Sequence, residues 1–275
     1  MTKDTPPSRN KILPMETIRT EIDRVDNALL NLIAERMDLA QAVRLAKSGS
    51  DVWRPSREES LIRDLANKAS TISPKLVSRI WAELTSASLS LQGPIHLHIS
   101  LSGDALSARI LVRDRFGAAI PIFTYPTEST ALAKAYADPE GVAVLPAPGG
   151  MNNWWTALGP KGATPEMHIL AALPRIGNWH WPEAVAVSKA QCLPSGSDQT
   201  LLYIEAGDIG AMRTMDTIFA DLGLRAQMRA EVNDKVLYSV DEYLMPECQS
   251  LNRLKDAFSI VKIIGILPRP IENKE

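Results

Sequence analysis

From Met15 to Lys47 apolar residues recur at alternating spacings of four and three, placing Ile18, Ile22, Val25, Leu29, Leu32, Leu39, Val43 and Ala46 on one seam. The stretch holds no proline or glycine and is dominated by strong helix formers. It predicts one helix of about 33 residues, roughly 50 Å long at 1.5 Å per residue. Gly49 in SGSD breaks it. Pro55 and Ser56 open a second, shorter helix through Ala66, and Ser73 and Pro74 start a third that ends before Gly93 and Pro94. The third helix repeats the seam spacing with Val77, Trp81, Leu84, Ser88 and Leu91.

After Pro94 the period changes. IHLHISL alternates, TALAKAYA has a helical pattern, and GVAVLPAP is a short buried-strand pattern running into a proline and glycine loop. In the last part of the chain TLLYIEA is a strand and Ala211 to Leu222 a helix closed by Gly223. LRAQMRAEV and KVLYSVDEY are strands joined at Asn233 and Asp234, a good tight-turn pair. A helix around Ser250 to Phe258 and the strand IVKIIGIL complete a βαββαβ order, the split arrangement of ferredoxin-like folds. The fold class expected is thus multidomain: a disordered leader over 1–14, an all-α three-helix domain over 15–93, an α/β region over 94–195 and a ferredoxin-like domain over 196–275.

Composition narrows the function classes. A chain of 275 residues exceeds one small domain. Hydrophobic residues at 45%, charged residues at 23% and a net charge of -2 give no polyanion-binding surface, so no nucleic-acid partner is expected. No stretch approaches the roughly 18 to 20 apolar residues of a membrane span, and the opening residues lack an apolar targeting core, so a cytoplasmic protein is expected. Cys192 and Cys248 are too few for a disulfide framework or a zinc site and read as small buried hydrophobes.

One residue breaks the first seam: Arg36. Burying a guanidinium without a partner costs several kcal/mol, so it needs a carboxylate, supplied either by the protein as an ion pair or by an anionic ligand. Ser88 interrupts the third-helix seam in the same way, and Gln92 follows it one turn on. A seam serine is otherwise a backbone-bonded residue. Arg36 and Lys47 lie eleven residues, three turns, apart and share a face. Arg57 and Glu58 open the second helix, where the N-terminus favours anions.

Over residues 15–93 these features resemble the all-helical, type II class of chorismate mutases, in particular the mutase domain of fusions with prephenate dehydratase. The resemblance rests on IRTEIDRVDNALLNLIAERMDLA, on the RPSREE segment and on SASLSLQGP. It places Arg19, Arg36, Lys47, Arg57, Glu58, Ser88 and Gln92 at the family's active-site positions. Arg54 stands where some members carry an acidic residue, which leaves Glu58 to contact the ring hydroxyl alone. The implied reaction is the rearrangement of chorismate to prephenate in phenylalanine and tyrosine biosynthesis. It is intramolecular and needs no cofactor, metal or nucleophile, only a charged cage. Arg19 and Arg36 would hold the two carboxylates, with Ser88 touching a carboxylate and Arg57 supporting the site. Lys47 and Gln92 would donate to the ether oxygen as its C–O bond breaks.

Arg19 and Arg36 are roughly 25 Å apart along one helix, too far to reach one small ligand together. An intertwined homodimer is therefore expected, in which the partner chain supplies Arg19, as the family also does.

The C-terminal segment resembles an ACT-type regulatory domain through Ile209, Gly210, Ala211 and Met212 and through VKIIGILPRP, and implies an aromatic amino acid effector. AEVND stands where that family has its second effector-binding stretch. The middle segment resembles a shortened dehydratase region. Its GVAVLPAPGG replaces the family's Val-Pro-Ile-Glu-Asn loop, and Thr200, Leu201 and Leu202 stand where a Thr-Arg-Phe motif would fall. A bifunctional mutase and dehydratase, and a non-catalytic sensor of aromatic metabolites, are the alternatives. His96 and His98 are expected on the outward face of a strand, and Asn152, Asn153, Trp154 and Trp155 form a loop whose tryptophans read as packing residues.

Overall fold

The computed structural model describes residues 13–46, 53–205 and 209–273, and the side chains of residues 46 and 209–214 are left out of the description. The predicted leader up to residue 12, Lys47 and Gly49 lie outside the described residues. Two compact units divide the chain, residues 1–47 and 48–275.

The first unit contains α1, Met15–Ala46, unbroken over 32 residues as its composition predicts. Ile18 donates its N–H to the Pro14 carbonyl at 3.1 Å, so the helix starts directly after the proline. Arg19 pairs with Glu16 and Arg24 with Glu21, each at 2.8 Å and exposed. The apolar seam is also exposed: Ile22 at 54%, Leu29 at 51% and Leu32 at 61%.

The second unit opens with α2, Pro55–Lys68, and α3, Pro74–Gln92, each with proline in its first turn. Ser73 caps α3 by accepting from the Leu76 N–H at 3.2 Å, and Gly93 closes it. Ile62, Ala66 and Val77 form a small core between these helices, joined by Ile271 from the far end of the chain.

Next come β1 His96–Ile99, α4 Ala105–Phe116, β2 Ile122–Thr124, α5 Glu128–Ala137 and β3 Gly141–Pro146. They are followed by β4 His168–Leu173, β5 Ala184–Ser188 and β6 Asp198–Glu205. The chain continues through α6 Ile209–Asp221, β7 Ala226–Val232, β8 Lys235–Val240, α7 Gln249–Ala257 and β9 Ile260–Pro268.

The described strands form one sheet in the order β2-β1-β3-β5-β4-β9-β6-β8-β7. Strands β1, β2 and β3 are parallel, while β5 runs antiparallel to both β3 and β4. The last four strands and two helices follow the anticipated βαββαβ path, with spatial order β9-β6-β8-β7 and every pair antiparallel. Asn233 has a φ of 58° in the β7–β8 turn, as the Asn-Asp pair predicts.

The α/β region and the ferredoxin-like unit were expected as separate domains meeting near residue 195. They share this continuous sheet, and the joint is β4 beside β9, parallel at Ile169 and Gly265. A Cβ on Gly265 would lie 2.4 Å from the Ile169 carbonyl oxygen, so only glycine lets the two strands close. Leu97, Ile99, Val112, Phe116, Val142 and Val144 form one core with Trp53 and Leu89. Leu145, Trp155, Ile169, Val185 and Tyr203 belong to a second. The helices of the βαββαβ unit cover a third, built on Met215, Phe219, Leu251 and Leu254.

Trp154 and Trp155 are buried, which bears out the packing reading, and Trp154 donates to the Pro146 carbonyl at 3.0 Å. Cys192 and Cys248 are free and half-buried, and burial pushes the Cys192 thiol up to about 12.

Candidate active site

The expected site residues fall on both units. Arg19 and Arg36 belong to α1; Arg57 and Glu58 stand in the first turn of α2; Ser88 and Gln92 are one turn apart near the end of α3. Lys47, expected on the Arg36 face, lies outside the described residues. Arg36 is half-buried, and burial lowers its pKa from the usual guanidinium value. Ser88 is buried and donates to the Leu84 carbonyl at 2.7 Å, the back-bonded geometry weighed from the sequence. Gln92 is half-buried and Arg57 exposed.

Glu58 departs from its expected setting. Its carboxylate is 8% exposed and forms ion pairs with Arg115 of α4 and with Arg175, just past β4. Oε1 takes both guanidinium groups, while Oε2 accepts from the Trp53 indole N–H at 3.1 Å. Glu59 is buried beside it and accepts from Arg175 Nε at 3.0 Å. Burial alone would raise the Glu58 pKa; Arg115 and Arg175 outweigh it and hold the carboxyl below the usual range. In this structure Glu58 faces two arginines. It joins α2 to α4 and to the end of β4, because two buried guanidinium groups require carboxylates at hydrogen-bonding distance.

Arg115 and Arg175 were not anticipated. For Arg115 the signal was in the sequence: it stands three residues after Val112 and beside Phe116 on the buried face of α4, a cation on an apolar face like Arg36. Arg175 follows a strand within ALPRIG and has no such periodic context.

The two strand histidines also differ from expectation. His98 is buried at 6% because β1 lies between β2 and β3, with α5 packed against it. The Asp138 carboxylate Oδ2 faces His96 Nδ1 at 2.7 Å and His98 Nε2 at 3.1 Å. Burial opposes Asp138 ionisation, but the His98 and His96 hydrogen bonds prevail and lower its pKa. The other nitrogen of His98 lies 3.1 Å from the Tyr125 hydroxyl. Among the described residues no cluster of His, Cys, Asp or Glu could hold a metal ion.

Thr200, expected where a dehydratase motif would fall, is fully buried in β6. Its hydroxyl donates to the Glu242 carbonyl at 2.7 Å and accepts from the Leu244 N–H at 2.8 Å, which is a structural role. Among the described residues no helix is long and apolar enough to cross a membrane.

Residues 18–93 match the family model described as chorismate mutase type II. The helical stretch is a chorismate mutase type II domain, and chorismate mutase is the activity that it brings to the chain. No curated protein matches the sequence. Among solved structures, the chain is similar to GqqA, described as a novel type of quorum quenching acylase, at 14% identity and a TM-score of 0.45 over 63% of this chain and 95% of that one. It is also similar to prephenate dehydratase from Streptococcus mutans, at 13% and 0.44 over 64% and 99%. Prephenate dehydratase from Arthrobacter aurescens in complex with L-Phe gives 13% and 0.44 over 65% and 92%.

Proposed function

We propose that the chain rearranges chorismate to prephenate in a cage of cations and amides carried by its helical domain. The observation behind this reading is the family match over residues 18–93, the stretch in which the polar interruptions Arg36 and Ser88 stand in apolar seams. Arg36 of one protomer and Arg19 of its partner would hold the two carboxylates and so select the reactive conformer. Lys47 and Gln92 would donate to the ether oxygen where charge develops as the C–O bond breaks. Ser88 would touch a carboxylate and Arg57 would support the cage. The ring-hydroxyl contact that the resemblance gives to Glu58 requires its carboxylate to leave Arg115 and Arg175. The cage is therefore drawn without Glu58, which anchors α2.

Two properties of α1 support a dimer. Arg19 and Arg36 lie on one unbroken helix, roughly 25 Å apart. The exposed seam around Ile22, Leu29 and Leu32 would leave a long apolar stripe in water unless a second copy covers it. The βαββαβ unit is the part proposed to sense an aromatic amino acid.

Loss of chorismate absorbance with purified protein, products identified, tests this reading. Phenylalanine and tyrosine in parallel reactions test the effector. Prephenate should accumulate; phenylpyruvate as the product would establish the bifunctional reading instead, and no turnover would leave a sensor. Gln92→Ala should depress kcat/KM, while Gln92→Glu should work mainly at low pH, where its carboxyl is protonated. Unchanged kinetics in both would remove Gln92 from the cage.

A further inference from the structure

A cavity of about 620 Å³ opens at one end of the βαββαβ sheet, bounded by α2, the segment after β4, and the near ends of β6, β7, β8 and β9. The opposite end of β6 precedes, in sequence, Ile209 to Met212, the residues that carry the ACT resemblance. Three arginines line the cavity: Arg63, Arg229 and Arg269.

Two of them have carboxylate partners. Arg63 pairs with Glu59 and donates to the Arg269 carbonyl at 2.6 Å. Arg269 pairs with Asp241 at 3.1 Å, and the same carboxylate oxygen accepts from Gln199 at 3.0 Å. Arg229 differs: among the described residues no carboxylate lies within 4.0 Å of it. It stands where the β7–β8 register shifts, between Met228 and Ala230, and a bulge re-aims the side chain it carries. Its Nε donates to Ser239 Oγ at 2.7 Å, and its guanidinium carbon lies 4.4 Å from the centre of the Trp181 ring. Trp181 is itself fixed by a 2.9 Å hydrogen bond to the Pro148 carbonyl. The guanidinium is thus held by one edge and one face, while its two terminal nitrogens make no hydrogen bond among the described residues. Half-burial lowers its pKa, with Arg269 adding to the effect and Asp241 opposing it.

A held guanidinium with a free fork is the donor geometry that a carboxylate matches bidentately. The fork presents a single positive charge, and Glu272 also lines the cavity, so the site suits a monoanion better than a phosphate dianion. The apolar wall is the ring of Trp179, fixed by a 2.9 Å hydrogen bond to the Pro174 carbonyl, and the cavity volume is that of an ordinary small-molecule site. We propose that this cavity binds a ring-bearing monocarboxylate, its carboxylate on Arg229 and its ring along Trp179. The proposal does not depend on the mutase reading.

Calorimetric titration of the full chain with 3-phenylpropionate, 3-phenylpropanol and inorganic phosphate tests it. The acid should bind one site per chain, and the alcohol and phosphate should neither bind nor compete. Arg229→Gln should weaken the acid about tenfold or more, with Arg229→Lys between. If Arg229→Gln does not fold, Asn67→Trp, an exposed residue at the rim on α2, should block binding while leaving Arg229 in place. Absence of binding by the acid, equal binding by the alcohol, competition by phosphate at equal strength, or wild-type affinity in both Arg229→Gln and Asn67→Trp would each overturn the proposal.

Discussion

Glu58 on α2 and Arg115 on α4, 57 residues apart in sequence, form an ion pair in which both side chains are less than one-tenth exposed. Arg175 shares the same carboxylate oxygen, so one carboxyl binds two guanidinium groups from two other parts of the fold. The helical segment and the α/β region are therefore electrostatically dependent on each other at the base of α2. Such a pair gains little over well-packed apolar residues, but removal of one member strands the other.

Glu58→Gln should accordingly destabilise the second unit by about 3 to 5 kcal/mol, because two buried arginines lose one of the two carboxylates that compensate them. Urea unfolding measures it. Pairing Glu58→Met with Arg115→Met should cost clearly less than the two single changes added together. Strict additivity would mean that the two residues do not act as a unit.

Acid should expose the same network. The folded-state pKa of Glu58 lies below its unfolded value, so the folded protein binds fewer protons as this group titrates. Its stabilising contribution is complete above the ordinary glutamate value of about 4.3 and is lost as pH falls through the lowered folded value. The wild type should therefore lose stability as pH falls below about 4.3, more steeply than Glu58→Gln. Parallel pH dependences of the two melting curves would contradict this.

Gly265→Ala should disrupt the β4–β9 joint, since the added carbon meets the Ile169 carbonyl oxygen at 2.4 Å. Overpacking of this kind costs about 1 to 3 kcal/mol, and hydrogen exchange should rise first along β4 and β9. A variant that melts with the wild type would show that the strands separate at no cost.

The proposed supply of Arg19 by the partner chain predicts complementation. Arg19→Ala and Arg36→Ala should each abolish mutase turnover alone. Refolded together in equal amounts they should recover about a quarter of wild-type activity, because half the dimers are mixed and each mixed dimer holds one intact site. Recovery absent, with mixed dimers shown by mass spectrometry, would mean that each chain builds its own site.

Much of the fold was legible because it depends on local signals. The proline and glycine stops around α2 and α3, the heptad seam of α1 and the Asn-Asp turn at Asn233 act over a few residues, and the structure follows them closely. The site was legible in part for the same reason: Arg36 and Ser88 stand out only against an apolar period. The ion pairs of Glu58 were not legible because its partners, Arg115 and Arg175, lie 57 and 117 residues away, beyond any periodicity. His98 was assigned to an outward face because alternation reports two faces without saying what covers them. Arg229 carried no signal, since its meaning comes from a bulge and from Trp181, 48 residues earlier in the chain.

By itself the sequence determined the helices of the first ninety-odd residues, the βαββαβ order of the last eighty and the polar interruptions that carry the mutase resemblance, because spacing, capping and turn chemistry are written in neighbouring residues. Only the tertiary structure decided that the α/β region and the ferredoxin-like unit share one sheet through Ile169 and Gly265. It alone showed Glu58 between two arginines and, among the described residues, Arg229 with no carboxylate within 4.0 Å. Burial and charge pairing are properties of what surrounds a residue, and those surroundings exist only once distant segments meet.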